Sequence, residues 1–334
     1  MREPSFWWHK AGCTAALLTP LSAVYGAIAA RRMAKPGARA GLPVLCVGNF
    51  TLGGAGKTPA VMSLAKMLQA AGERPCCLSR GYGGSTAGPK LVDAQADRAA
   101  LVGDEALLLA RVAPTIVARD RVAGAQAAGE TGASVVIMDD GLQNASLAKD
   151  FTFAVVDGTR GIGNACVFPA GPLRAPLDAQ MARTDALLIV GDRENTGQNI
   201  SDVIAAAGTR PIFHGRLVPD PAAVAALKGR NVYAFAGIGD PEKFFETIAR
   251  AGITVTQRKA FGDHHRFTAE DAASLTMQNE HDGLDLLTTE KDRARMAGEP
   301  ALAALEQRVR VLPVTLVVDE ADELRRMILA KLRK

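Results

Sequence analysis

An α/β fold, with a parallel sheet covered by helices on both faces, is what this chain predicts, and three observations carry it. Short apolar runs at residues 44–47, 75–78, 115–117, 135–138, 152–156 and 186–190 alternate with stretches of helical periodicity, the order that parallel strands and crossover helices require. A glycine-rich turn links the first run to a helical pattern. Carboxylates and arginines gather just after the runs, where the carboxyl ends of parallel strands open onto a ligand crevice.

The glycine-rich turn, Thr51-Leu52-Gly53-Gly54-Ala55-Gly56-Lys57-Thr58, has the form of a phosphate-binding loop, with Thr51 in place of the usual first glycine. Its backbone N–H groups would cradle phosphate, Lys57 would reach the β- and γ-phosphates, and the Thr58 hydroxyl would meet Mg²⁺. Pro59 suits a first helical turn because its missing N–H has no partner there. Val61, Leu64, Ala65 and Leu68 then recur at helical spacing, and Gly72 closes the helix. Strand, loop and helix stand in the order that turns a helix N-terminus toward an anion, so the first domain is predicted to be P-loop NTPase-like and ATP to be its nucleotide.

At 334 residues the chain predicts about two domains. Residues 36–220 form the P-loop unit and 221–334 a smaller α/β unit, with strand-like runs at 232–236, 254–257, 284–288 and 309–318 and a last helix from Glu320. Residues 168–176, rich in Pro and Gly, read as a loop. The net charge of +4 and the 5% aromatic content suit an anionic substrate or a membrane surface, and argue against nucleic acid. Cys13, Cys46, Cys76, Cys77 and Cys166 lack zinc spacing, and Cys76-Cys77 read as buried thiols of a reducing compartment.

Residues 11–30 carry no charge, with Trp7-Trp8 before them and Arg31, Arg32 and Lys35 after. A secretory signal is disfavoured, since export would part the phosphate loop from ATP. A spanning helix is weakened by Pro20, Gly12, Gly26 and many alanines. The favoured reading for residues 1–35 is a membrane-associated helix in the interface, tryptophans at headgroup depth and arginines on anionic lipid, with the body on the cytoplasmic side. An ordinary core helix remains the alternative.

Val135 to Met138 end in Asp139-Asp140. A carboxylate in that place holds Mg²⁺ in phosphate-loop proteins, or else caps a helix. Asp104-Glu105 open an apolar helical stretch, where an N-cap and a favourable dipole contact are the favoured account and catalysis the alternative. Asp263-His264-His265 is the one histidine cluster, fit for acid–base work, metal binding or simple solvation, with zinc disfavoured because no cysteine is near. Thr288-Thr289-Glu290-Lys291-Asp292 end a strand and begin a helix, where they could contact nucleotide or phosphate or simply cap that helix. Arg80, Arg119 and Arg121 follow strands and could face an anionic ligand.

Gly48-Asn49 with Thr51 to Pro59, Leu78 to Gly84, Gly103-Asp104-Glu105, Asp139-Asp140-Gly141-Leu142-Gln143, Pro169-Ala170-Gly171-Pro172-Leu173-Arg174, Asp263-His264 and Thr289 to Asp292 occur in an order that resembles the tetraacyldisaccharide 4'-kinases. The resemblance spans almost the whole chain. It implies transfer of the γ-phosphoryl of ATP to the 4'-hydroxyl of an acylated glucosamine disaccharide 1-phosphate, giving lipid IVA in lipid A biosynthesis. The setting it implies is the cytoplasmic face of the inner membrane, with no obligate protein partner. It further implies two α/β domains joined by a β-ribbon with the site between them. By residue, it implies Asp104 as general base with His264 as its partner. Lys57, Thr58, Asp139, Asp140 and Gln143 would serve ATP and Mg²⁺, and Arg80, Glu105, Arg121 and Arg174 would stand near phosphates or acceptor. Asn144 and Ala175 depart from the family pattern and receive no charged role. Two rivals remain from the residues themselves: a membrane-attached ATPase switch, which the lack of a lysine before Gly53-Gly54 disfavours, and a soluble small-molecule kinase.

Overall fold

The computed structural model describes residues 3–193, 197 and 200–332. All six apolar runs are strands: β1 (Val44–Gly48), β2 (Pro75–Ser79), β4 (Thr115–Val117), β5 (Val135–Asp139), β6 (Phe151–Asp157) and β7 (Ala186–Val190). With the short β3 (Lys90–Leu91), β8 (Ile212–Pro219) and β13 (Val314–Val318) they form one nine-stranded sheet, ordered β13-β8-β7-β6-β1-β5-β2-β4-β3. Pairing is parallel from β4 through β8 and antiparallel at the two edges. The smaller sheet, β10-β9-β11-β12, joins β9 (Asn231–Ala236), β10 (Thr254–Ala260), β11 (Asp285–Thr288) and β12 (Arg310–Val311), all parallel.

Strand β1 shows why the larger sheet is covered twice. Its Leu45 and Val47 pack on one side with Leu64 and Leu68 of the helix Lys57–Ala70, and its Val44 and Cys46 pack on the other with Ala125 and Ala128 of the helix Arg121–Glu130. Side chains alternate across a strand, so an unbroken apolar run needs an apolar cover on each face. Cys46, Cys76 and Cys77 lie in these layers, and burial pushes the Cys46 and Cys76 thiols up to about 11.

The division between units differs from the expected 36–220 and 221–334. The run at 309–318 is two strands, because Pro313 has no N–H to give a ladder. Before it, β12 belongs to the smaller sheet; after it, β13 runs antiparallel to β8, Val314 opposite Pro219. The last helix, Ala321–Leu332, sends Leu324 and Ile328 into the core beneath the larger sheet. The chain thus leaves the larger unit along β8 and returns along β13, and at the crossing Asp220 N donates to Pro313 O at 2.9 Å.

The uncharged N-terminal stretch is the helix Cys13–Met33, long and apolar enough to cross a membrane. Ala15, Ser22, Gly26 and Met33 form its buried stripe. Ser22 Oγ accepts from Ala170 N at 2.9 Å, and Gly26 lies against Pro176. Leu17 (82% exposed), Leu21, Val24, Tyr25 and Ile28 form the opposite, open stripe. The tryptophans before this helix are bonded to the body of the protein. Trp7 is 6% exposed and its indole donates to Pro169 O at 3.1 Å, while Trp8 bonds Glu3 and lies 4.7 Å beneath the Arg160 guanidinium. An indole N–H with a protein acceptor at hand is held by the body.

Candidate active site

The phosphate-binding loop begins where β1 stops. Gly48 is required there, since a Cβ would come within 2.5 Å of Leu142 Cβ. At the far end Gly56 has φ +82°, a left-handed conformation that frees the next residue, Lys57, to open the helix. Thr51 does not need a glycine's freedom. It keeps a negative φ and forms an antiparallel bridge with Leu173, and its carbonyl accepts from Asn49 Nδ2 and Arg174 Nε, both at 2.8 Å. Lys57 Nζ donates to Asn49 Oδ1 at 3.1 Å and lies 3.7 Å from Asp140 Oδ1. Burial draws the Lys57 ammonium below its usual range, against the pull of Asp140.

Asp139 and Asp140 end β5 beside this loop and behave oppositely. Asp140 has φ +51° and turns both oxygens to Arg174 Nη1, at 2.8 and 2.9 Å. Burial alone would raise its pKa, but Lys57 and Arg174 hold the carboxyl well below the usual range. Asp139 is fully buried and its Oδ1 has no hydrogen-bond partner. Burial, with the neighbouring charges of Glu105 and Asp140, pushes that carboxyl up to about 7. A buried carboxylate surrounded by like charge wants a cation.

A second pair opens the short helix Asp104–Ala110, after Gly103 turns the chain at φ +87°. Asp104 does not cap this helix; it is its first residue, and its Oδ1 accepts only from Glu105 N, at 3.0 Å. Its Oδ2 meets the guanidinium of Arg295 at 2.6 Å and lies 3.5 Å from His264 Nδ1. Burial would lift the Asp104 pKa, yet the contacts with His264, Arg295 and Lys291 hold the carboxyl well below its usual range. His264 takes a left-handed φ of +53° and packs 4.7 Å from the Tyr82 ring. Glu105 Oε1 accepts from Lys291 Nζ at 2.7 Å and from Thr58 Oγ1 at 3.4 Å.

The loop, Asp139, Asp140, Glu105 and His264 all face one cavity of about 1040 Å³. It reaches Lys243 of the smaller unit on one side and Tyr25 and Ile28 of the N-terminal helix on another. Asp104 stands just behind its wall, 3% exposed, with His264 in front. The four residues expected near phosphate or acceptor all line the cavity and differ in what holds them. Arg80 opens onto the cavity. The Arg121 guanidinium is spent on the carbonyls of Leu78 and Asp139, at 3.4 and 3.2 Å. Arg174 braces the loop and Asp140, and Glu105 links Thr58 to Lys291. Gln143 donates to Asn49 O at 2.8 Å and to Gln180 Oε1 at 2.7 Å, so its amide supports the loop. Asn144 makes a local turn with Ser146, at 3.0 Å, and Ala175 is fully buried.

Arg295 drew no role from the sequence, and Asn49, Lys291 and Asp292 entered only as members of longer motifs, without a role of their own. Lys291 and Arg295 stand four apart on the helix Glu290–Met296, a spacing that reads as a solvated basic face. Their partners lie far away in sequence.

The family model described as LpxK, tetraacyldisaccharide-1-P 4'-kinase, matches residues 14–333. The chain is similar to the tetraacyldisaccharide 4'-kinase of Nitrobacter winogradskyi, 51% identical over 339 residues, covering 100% of this chain and 99% of that one. It is likewise similar to the tetraacyldisaccharide 4'-kinase of a Methylobacterium species, 53% identical over 334 residues, covering 100% and 98%. Among solved structures, "apo" form LpxK from Aquifex aeolicus in complex with ATP matches with a TM-score of 0.71 and 27% identity, covering 95% of this chain and 99% of that one.

Proposed function

The chain belongs to the tetraacyldisaccharide 4'-kinase family and is a kinase of lipid A biosynthesis, and from the geometry of its cleft we propose how the work is divided. ATP is the phosphoryl donor, its phosphates cradled by residues 51–58 with Lys57 on the β- and γ-phosphates. Phosphoryl transfer asks the protein mainly to position reactants and offset charge, and the cations gathered around the loop supply both.

The donors present fit a Mg²⁺ ion that arrives with the nucleotide. Mg²⁺ takes one or two carboxylates and completes its shell with water and phosphate. Asp139 offers a buried, unpartnered oxygen, and no group of three or more acidic, His or Cys side chains fit to hold a metal occurs among the described residues. Asp139 and the Thr58 hydroxyl would hold the ion. Asp140, committed to Arg174, stays beside it. When bound, the ion would offset charge on the β- and γ-phosphate oxygens.

The proton of the acceptor 4'-hydroxyl goes to the pair Asp104–His264. Asp104 is the general base of the pair, and His264, which lines the cavity in front of it with Nδ1 3.5 Å from Asp104 Oδ2, orients that carboxylate. Arg80 lies where the acceptor's phosphate could pass.

The observation that carries the lipid reading is the continuity of the cavity with Tyr25 and Ile28, on the helix whose outer stripe is apolar and open. We place this helix on the cytoplasmic leaflet of the inner membrane, so that the acylated acceptor enters along it. Incubation with γ-labelled ATP and the acylated disaccharide should give a labelled lipid; ATP turnover indifferent to that lipid would favour the switch. A Leu17→Glu, Leu21→Glu variant should keep its fold and stop sedimenting with anionic vesicles, since each buried leucine contributes about 1.5–3 kcal/mol. Sedimentation as before would overturn the membrane assignment.

A further inference from the structure

We propose that Arg295, set in place by Asp292, is a positioning residue that aims the Asp104 carboxylate at His264. The inference rests on the proposed role of the Asp104–His264 pair.

Arg295 comes from the smaller unit and crosses the cleft between the units to reach Asp104: its Nε donates to Oδ2 at 2.6 Å, and its Nη2 lies 2.6 Å from the same oxygen without a hydrogen-bond partner. Its side chain is 6% exposed and that of Asp104 3%. The planar guanidinium fork presents its Nε–H to that one oxygen from a fixed direction, as a lysine ammonium cannot. The fork is itself fixed from behind. Nη1 donates to Gly237 O at 2.6 Å and to Asp292 Oδ1 at 2.9 Å. Asp292 is fully buried and accepts from Gly237 N at 3.1 Å, Thr289 Oγ1 at 2.7 Å and Thr288 Oγ1 at 3.2 Å. Four elements of the smaller unit thus fix one guanidinium: β9's end, β11's end, the Thr289 cap and the helix that carries Arg295.

The chemistry follows from sharing. Asp104 Oδ2 faces Arg295 and His264 together. Arg295 blocks rotation of the carboxylate, and its fixed charge competes with a protonated His264 for the same oxygen. The other charged groups near this pair are Lys291, on the Arg295 helix, Glu105, next to Asp104, and Asp263, whose Oδ1 lies 3.9 Å from His264 Nε2.

The test compares Arg295→Met and Arg295→Lys in the full-length enzyme. Arg295→Met should lower kcat by about 10²-fold, the scale of a misaimed reacting group, with the KM for ATP unchanged. The acid limb of its kcat/KM profile should move to higher pH by about one unit or more, as loss of an adjacent opposite charge requires. Arg295→Lys keeps the charge and loses the fork, so it should keep the acid limb and recover only part of kcat. A fall in thermal stability with an unmoved acid limb in both variants would overturn the inference. If Arg295→Met does not fold, the Arg295→Lys profile decides alone: full kcat in it contradicts the need for a fork. Asp104→Asn separates this from the reading beneath it. Wild-type turnover there removes the pair itself, whereas a dead Asp104→Asn with an unaltered Arg295→Met removes only the positioning role.

Discussion

Two pairs of adjacent carboxylates face this cleft, and they are neutralised in different ways. Asp139-Asp140 sit at the end of a central strand and draw cations from their own unit: Lys57 from the loop and Arg174 from the stretch that braces it. Asp104-Glu105 sit at the start of a helix and draw theirs from the other unit, Arg295 and Lys291. In the first pair one oxygen is left over, on Asp139, and its carboxyl stands near 7. In the second, Arg295 and Lys291 each meet one carboxylate, and the Asp104 carboxyl stands well below its usual range. A deficit of positive charge marks the place for an incoming cation, and a full complement marks a group that must stay ionised. The two sites use one residue type for opposite ends.

The comparison can be broken most forcefully at Asp104. Asp104→Asn should lower turnover by about 10²–10⁴-fold, the scale of losing acid–base assistance, with nucleotide affinity, measured by titration calorimetry, little changed. Near-normal turnover would erase the distinction between the pairs. Asp139→Asn should cost about 10²-fold, comparable to removing one electrostatic stabiliser. Here the loss should appear as weakened dependence on Mg²⁺ concentration, and an unchanged Mg²⁺ titration would show that the bare oxygen serves something else. His264→Ala should cost about tenfold at the low end of that acid–base scale, with an altered pH–rate profile; an unaltered profile would uncouple it from Asp104. The smallest effect concerns stability. The Asp139 carboxyl is raised from 3.8 to about 7 in the fold, so the folded protein binds a proton that the unfolded chain has released. The stability from this group is therefore complete below pH 3.8 and lost as pH rises through 7. Without metal or nucleotide, the melting temperature of the parent should fall relative to that of Asp139→Asn across this window. Parallel curves would refute the assignment.

Much of the larger unit was legible because its signals are local. The strand–loop–helix around Lys57, the six apolar runs and the acidic pair closing β5 each lie within a few residues, and periodicity reads at that range. Asp104 was ambiguous for the same reason: an acidic residue at a helix start has a sufficient local explanation in the cap. Only the resemblance of the whole motif order separated the two. Arg295 carries no local sign at all, since its partner lies 191 residues away. The return of β13 to the larger sheet was hidden in what reads as one strand-like run, 309–318, with Pro313 the mark of a break. The contact of Trp7 with the carbonyl of Pro169 was not legible either, since an aromatic beside an apolar helix suits an interface and a body contact equally and its acceptor lies 162 residues away.

The smaller unit is tethered by two neighbouring crossings, β8 going out and β13 coming back, tied at Asp220 and Pro313. A single tether would let it swivel in any direction; a double one resists twisting and leaves bending across the ribbon as the easy motion, like a door on a strip hinge. Swinging on that axis would carry Lys291 and Arg295 away from Glu105 and Asp104 in one stroke. The enzyme would then disarm its proton acceptor and loosen Thr58 together whenever it gapes to admit or discharge cargo, and hydrolysis of nucleotide in the open posture would be suppressed without any dedicated guard.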